Sequence, residues 1–422
     1  MSERLKNGEG PAKMTEIEFV DVHGYAAHKE AMTSRALCVG GAGGEADMTH
    51  FRGGALSRLD GPPHIMRRRV MNRVLRADGH KWFRDSVLYP TLERNLDELF
   101  ATVGKDGVAR VDLVPFSKRV TLQLAAALIG LSGTDTTEGA EELLRLQQAI
   151  TLGATDAVVE LRFGYTDASV LSGAVEATRE YTERFFRPAY EAHRTLLERV
   201  ETGEITAEDL PHNLMTLMSA HADPAWEDVG IAVKDSLLIL RAGVNSSTQA
   251  ICRALDELRG WLPEHPEDAE RLGDPEFLLS VVNETLRLHP NLPAKLRRAT
   301  ADVVLKTTGE TIPEGACAVL WTGQNNRDAI VFGPDADEFN PRRELPPGVF
   351  AHGLSFGVGP HRCYGVPIVL GNDGIDGSLV HVLRELLACD VRPDPDGGVD
   401  FEGRVLPSVY SSYPVLLTRR AE

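Results

Sequence analysis

Cysteine is scarce in this chain of 422 residues: five, at positions 38, 252, 317, 363 and 389, with no CxxC pair. An odd, scattered set of this kind gives neither a disulfide framework nor a paired-thiolate zinc site, and it suits a reducing compartment such as the cytoplasm. Basic charge is also short, 45 Lys plus Arg against 62 Asp plus Glu, a net charge of −17 with His neutral. Nonspecific binding to nucleic acid or to an anionic membrane needs a basic surface, so neither is expected. No apolar run approaches the ~20 residues of a spanning helix. The opening MSERLKNGEGPAK lacks an apolar signal core, so no export or membrane anchor is expected. With 42% hydrophobic and 25% charged residues the composition is that of an ordinary globular protein.

Residues 1–16 are polar and read as a flexible N-terminal segment; the first apolar run is Ile17–Val22. Gly40–Ser57 is glycine-rich and reads as a loop. Helical periodicity then dominates, over Pro62–Ala77, Trp82–Val103, Arg119–Leu131, Glu138–Leu152, Ala174–Glu201 and Ala225–Leu262. After Arg298 the texture changes to short β-like runs, Asp302–Leu305, Thr308–Ile312 and Cys317–Trp321, then to an irregular Pro- and Gly-rich stretch, Gly333–His361. A helix at Leu379–Leu387 precedes a strand-poor tail ending in Val405–Leu417. The expected architecture is mainly α with small β-sheets, an α+β fold in one large domain over 17–422.

One cysteine stands apart. Phe350–Gly365 reads FAHGLSFGVGPHRCYG, a glycine-dense run into Cys363. Glycine permits positive φ and close backbone approach to a flat or bulky object, and nearby backbone N–H groups favour a thiolate. Cys38, Cys252, Cys317 and Cys389 lack such surroundings and read as ordinary buried or surface thiols.

The run from Phe356 to Gly365 resembles the haem-binding loop of the cytochrome P450 superfamily. The resemblance implies the P450 fold, a triangular helical body with a long I-helix and a minor β region. It also implies haem b with Cys363 as axial thiolate to the iron, Phe356 and Gly365 in the loop, and His361 near a haem propionate. Glu284 and Arg287 in VVNETLRLHP resemble the ExxR motif, whose i, i+3 spacing sets both side chains on one helix face. Arg343, or failing it Arg342, resembles the arginine that completes their buried network. His64 and Arg68 in LDGPPHIMRRRV, together with Arg297, resemble propionate ligands, a role that charge-assisted hydrogen bonds suit.

The same resemblance makes Glu227–Leu258 the helix over the distal haem face, with Ala242, Gly243, Asn245 and Ser246 at the oxygen-handling positions. Gly243 costs ~1 kcal/mol against Ala inside a helix, which a local opening of the helix would explain. Asn245 departs from the usual acid and cannot exchange a proton as a carboxylate does. Leu238, Arg241, Pro293, Lys295, Val409 and Tyr410 fall where substrate contacts are found. Arg241 and Lys295 there would favour an anionic small-molecule substrate. The loops expected around that pocket are Gly40–Ser57, roughly Leu152–Ser172, and Ser408–Ser412. Pro367, Gly371, Gly374 and Gly377 interrupt periodicity after the cysteine, so the next helix is expected to start late or to follow an insertion.

Arg67, Arg68, Arg69, Arg73 and Arg76 crowd one short helix. The resemblance places that helix beside the docking surface of an acidic ferredoxin, which with a separate reductase would supply electrons. The expected activity is a bacterial-type monooxygenase using O2, in secondary metabolism. The Asn245–Ser246 pair leaves open an atypical member working by peroxide, oxidative coupling, desaturation or rearrangement, and a noncatalytic haem sensor stands last.

Overall fold

A computed structural model describes residues 17–40, 45–104, 107–163, 167–372, 374–402 and 409–419, with the side chains of 156–163 left aside. The expected flexible segment 1–16 lies outside the described residues, as does the 405–408 part of the tail.

The centre of the molecule is one 33-residue helix, Val229–Trp261. Asp228 caps it by accepting from the Gly230 N–H, which satisfies one of the orphan donors of its first turn. Leu237, Leu240, Val244, Ile251, Ala254, Leu255 and Leu258 are buried along it, an i, i+3, i+4 pattern that makes its inner stripe. Leu113–Ile129 packs along it, entered at the Asp112 cap and ended by Gly130 at φ +99°. Pro275–Leu288 and Ser378–Ala388 also contact it or each other. These helices share one large apolar core.

A second, smaller core lies under a four-stranded sheet. Its strand order is Phe19–Val22, Cys317–Leu320, Lys295–Ala299, Leu37–Cys38, the first pair parallel and the others antiparallel. The sheet thus sets the first ordered residues beside the segment that follows the ExxR helix. Arg392–Pro393, Pro414–Thr418 and Val108–Asp112 form a three-stranded sheet, so the tail is richer in strand than its composition suggested; Val409–Ser412 pairs with Asp400–Glu402.

Several expected boundaries shift for identifiable reasons. Gly40–Ser57 is not all loop: Asp47–Arg52 makes a π-type turn and Leu56–Arg58 a 3-10 turn. Leu152–Ser172 is largely helical, because Thr137–Phe163 runs on through Gly153 and Ala168–Tyr181 starts at the Asp167 cap. A Cβ at Gly153 would lie 2.2 Å from that of Ala174, so this glycine lets the two helices touch. π-type turns at Arg84–Leu88 and Thr182–Phe186 divide the expected long helices Trp82–Val103 and Ala174–Glu201. After the cysteine, Val366–Leu370 is one short helix, and a hairpin pairing Gly371–Asn372 with Ile375–Asp376 precedes Ser378–Ala388.

Candidate functional site

The cysteine loop turns on two glycines. Gly357 has φ +67° and Gly359 φ +71°; a Cβ would come within 2.7 Å of Met32 Cε at the first and 3.2 Å of Thr33 Cγ2 at the second. Both positions therefore exclude side chains on conformational and steric grounds. The backbone closes when the Cys363 N–H donates to the Phe356 carbonyl at 2.8 Å. Phe356 meets His352 edge-on at 4.9 Å.

The Cys363 side chain has open surface, yet protein surrounds it and burial pushes its thiol pKa up. The Gly365 N–H, then Arg68, Lys295 and Arg362, pull the pKa the other way.

Around this thiol the structure gathers cations. The rings of His64 and His361 lie 4.1 Å apart, and His361 Nε2 is 3.2 Å from Asp60 Oδ1. Burial, then the neighbouring His361 and Arg68, push His64 down to about 4. Arg297 is buried, its Nη1 donating only to the adjacent Leu296 carbonyl at 2.8 Å among the described residues. Arg68 donates to the Cys363 carbonyl at 3.4 Å and lies over the Tyr364 ring at 5.4 Å. Lys295 donates to Thr322 Oγ1 at 2.8 Å and to the Leu354 carbonyl at 3.2 Å. Burial, then Arg297, push its ammonium down to about 7. Lys295 thus touches the cysteine loop at Leu354. Asp60 is the one carboxylate interacting with His64, His361 and Arg297 among the described residues.

Beneath the loop, Arg287 Nε and Nη2 each donate to Glu284 at 2.7 Å, and Arg343 Nε reaches the same carboxylate at 3.1 Å. Arg287 Nη1 also donates to the carbonyls of Asn326 and Ala336. Arg342 instead pairs with Glu267 and Asp268. Asn326 links this network to the loop: its Oδ1 accepts from the Leu354 N–H at 2.7 Å while its Nδ2 donates to the Arg287 carbonyl at 3.0 Å. No local sequence pattern marked Asn326, since its partners lie 28 and 39 positions away.

On the central helix Ala242 is exposed between buried neighbours Leu240 and Val244. Ser246 Oγ donates to the Ala242 carbonyl. Ser247 is buried and Asn245 half-buried. The α-helix runs through Gly243 without a π or 3-10 interruption, so the expected local opening is absent from this stretch; Gly243 instead sits close to Ala125.

Of the remaining candidates, Leu238, Pro293 and Val409 are half-buried. Tyr410 is turned into the protein: its hydroxyl donates to Asp256 at 2.8 Å and its ring lies under the Arg253 guanidinium at 4.5 Å. Those two charges engage its hydroxyl and its ring, and the side chain is buried. Arg241 packs toward Arg52, Asp47 and Arg58, and burial followed by Arg52 pushes its guanidinium down to about 10.

Arg67 leaves the surface row it was grouped with. It is buried and reaches Asp235 at 3.3 Å, Asp223 at 3.5 Å and the Gly54 carbonyl at 2.5 Å. Asp235 also accepts from the Leu56 N–H at 2.7 Å and from Trp226 Nε1 at 2.9 Å. Arg69, Arg73 and Arg76 stay exposed, with Ile65 and Met66 beside them.

A family model described as cytochrome P450 matches residues 249–369, which hold Glu284, Arg287, Arg343 and Cys363 and begin after the Ala242–Ser247 stretch. The chain is 27% identical over 300 residues to cytochrome P450 monooxygenase himC of Aspergillus japonicus, covering 65% of this chain and 53% of that protein. It is 29% identical over 202 residues to mycinamicin VIII C21 methyl hydroxylase of Micromonospora griseorubida, covering 47% and 42%. The chain thus spans about half the length of these curated relatives. The ligand-free structure of cytochrome P450 TbtJ1 superposes with a TM-score of 0.65 at 21% identity, over 94% of this chain and 91% of that one.

Proposed function

A chain with this fold and this cysteine loop belongs to the cytochrome P450 superfamily, and from that premise we propose that it is a haem-thiolate monooxygenase acting on a small organic molecule. In this reading residues 17–422 form one haem domain.

The observation that carries the proposal is the setting of Cys363. It keeps accessible surface at the end of a loop that only glycine can shape, with the Gly365 N–H on its sulfur. The surroundings suit haem as well: His64, His361 and Arg297 share Asp60 while Arg68 and Lys295 face Cys363, so basic groups outnumber the carboxylates there among the described residues. Two propionates would satisfy that excess through charge-assisted hydrogen bonds. Haem ligated by Cys363 supplies oxygen activation by electron donation from the thiolate.

The chain's own residues then do three things. Gly365, Arg68, Lys295 and Arg362 favour the ionised sulfur against the burial that opposes it. Glu284, Arg287 and Arg343, through Asn326, fix the loop that carries it. Ser246, with Asn245 beside it, handles protons on the central helix, where its hydroxyl donates to the Ala242 carbonyl. Arg69, exposed on the helix that touches the cysteine loop, with Arg73 and Arg76 on the turn that follows it, receives an acidic ferredoxin and its reductase as electron donors. Five unpaired cysteines support a reducing compartment such as the cytoplasm. No helix among the described residues is long and apolar enough to cross a membrane.

One observation favours a second reading. Asn245 stands where an acid is expected, so peroxide-driven, coupling, desaturating or rearranging chemistry, which asks less of a proton donor, competes with simple hydroxylation. A noncatalytic sensor fits least, because it gives the Ser246 hydroxyl no role.

The carbon-monoxide difference spectrum of the reduced, haem-loaded protein tests the shared premise. A thiolate-type Soret band is expected, and its absence from a protein that retains haem would sink the reading. Turnover dependent on NAD(P)H with ferredoxin, or on peroxide alone, then separates the two enzyme readings.

A further inference from the structure

The substrate side of the central helix carries charge that its surroundings do not balance. Asp47 is fully buried and accepts from Arg52 Nε at 2.5 Å and from Arg58 Nη2 at 3.0 Å. Arg241, one residue before the exposed Ala242, interacts with the same three groups. Three guanidiniums therefore share one carboxylate, with Asp60 further along beside Arg58. Arg241 Nε and Arg52 Nη2 are both buried without a hydrogen-bond partner. Leaving charged donors unmade in a protein interior is costly, and an anion supplied from outside would remove that cost.

The arrangement is held in place. Lys234 Nζ donates to the carbonyls of Thr49 and Gly53, 3.2 Å each, and so fastens the turn bearing Asp47 and Arg52 to the central helix. Arg58 is fixed a second time by the Val39 carbonyl at 3.2 Å. A set of donors held before its ligand arrives binds with little loss of side-chain freedom.

We propose that Arg241 and Arg52, oriented by Asp47 and Arg58, form an anion-binding subsite and that the substrate carries a carboxylate or phosphate that occupies it. The inference rests on the haem-thiolate reading above. Such an anchor would bear on regiochemistry as well, because it fixes which end of the substrate is held away from the reacting centre.

The test uses the haem-loaded full chain and ligands that announce themselves whatever the natural substrate is. A series of ω-imidazolyl alkanoic acids, and the alcohols of matching length, ligate haem iron through the imidazole and shift the Soret band. At one or more lengths the acid should bind about tenfold more tightly than its alcohol, an advantage that falls with ionic strength. Arg241→Leu and Arg52→Gln should each remove that advantage and leave alcohol binding within about twofold, the pattern for loss of one charge-assisted contact. Acids no better than alcohols at every length, or a preference that survives both substitutions, would overturn the subsite. If neither variant keeps haem, the wild-type acid-to-alcohol ratio and its salt dependence decide alone. No Soret response to imidazole in any form points instead to failure of the haem-thiolate reading.

Discussion

Arg343 and Arg287 share one oxygen of Glu284, Oε1, at 3.1 Å and 2.7 Å. The carboxylate is thus held by two guanidiniums and by the Asn340 N–H, all nearly out of solvent. Removing its charge leaves buried Arg287 without a counterion and Arg343 with Asp335 alone. Glu284→Gln should lower stability by about 3–5 kcal/mol, the usual cost of breaking a buried pair from one side. Denaturant unfolding and haem content measure this; an unchanged midpoint would show that backbone carbonyls suffice for both arginines.

Proton handling on the central helix gives a second prediction. Asn245→Asp restores an exchangeable proton next to Ser246 and should raise the share of NAD(P)H electrons recovered in product. Product and peroxide measured side by side settle it, and an unchanged ratio removes Asn245 from the proton path.

Docking of the electron donor should be electrostatic. Arg69→Glu combined with Arg73→Glu should slow reduction by an acidic ferredoxin about tenfold at low salt, the difference closing as salt screens the charges. Stopped-flow reduction across ionic strength reads this directly. A deficit that ignores salt would indicate damage to the cysteine loop instead.

His381 gives a pH dependence. Its ring lies 4.1 Å from that of Tyr89, its Nδ1 meets Arg384 Nη2 at 2.9 Å, and Glu385 stands 3.8 Å away. Burial, then Arg384, push the imidazole down to about 4 from 6.5. The unfolded chain therefore binds a proton in that window when the folded chain does not. The stabilisation is complete above pH 6.5 and is lost as pH falls toward 4, by on the order of 2–3 kcal/mol. His381→Gln should flatten the melting temperature between pH 7 and pH 5, and equal slopes for the two proteins would remove His381 from the acid response.

What was legible in the chain was whatever its function writes locally. The glycine-dense approach to Cys363, the i, i+3 spacing of Glu284 and Arg287, and the long apolar stripe of the central helix each sit within one segment. Asp47, Arg52, Arg58 and Arg241 do not: a glycine-rich stretch looked featureless, and its arginines acquire meaning only against a helix nearly 200 positions on. Arg67 was misplaced for a similar reason, although His64, Arg67 and Met71 share one buried helix face and their i, i+3, i+7 spacing could have separated it from Arg69 and Arg73. The π-type turns at Arg84–Leu88 and Thr182–Phe186 left no mark, because they keep helical composition and alter only the winding.

The clasp between Arg67 and Asp235 bears on which molecules can be accommodated. Gly54 and Leu56 each commit a backbone group to a buried charge, so swinging this segment outward would strand both charges and two peptide groups at once. A boundary bound in that way cannot reshape itself around a guest, unlike the pliable linings of promiscuous binders. Wherever this segment borders a bound molecule, selection would work by exclusion of shapes that do not fit a rigid outline, and slow exchange of the Leu56 amide hydrogen would register that rigidity.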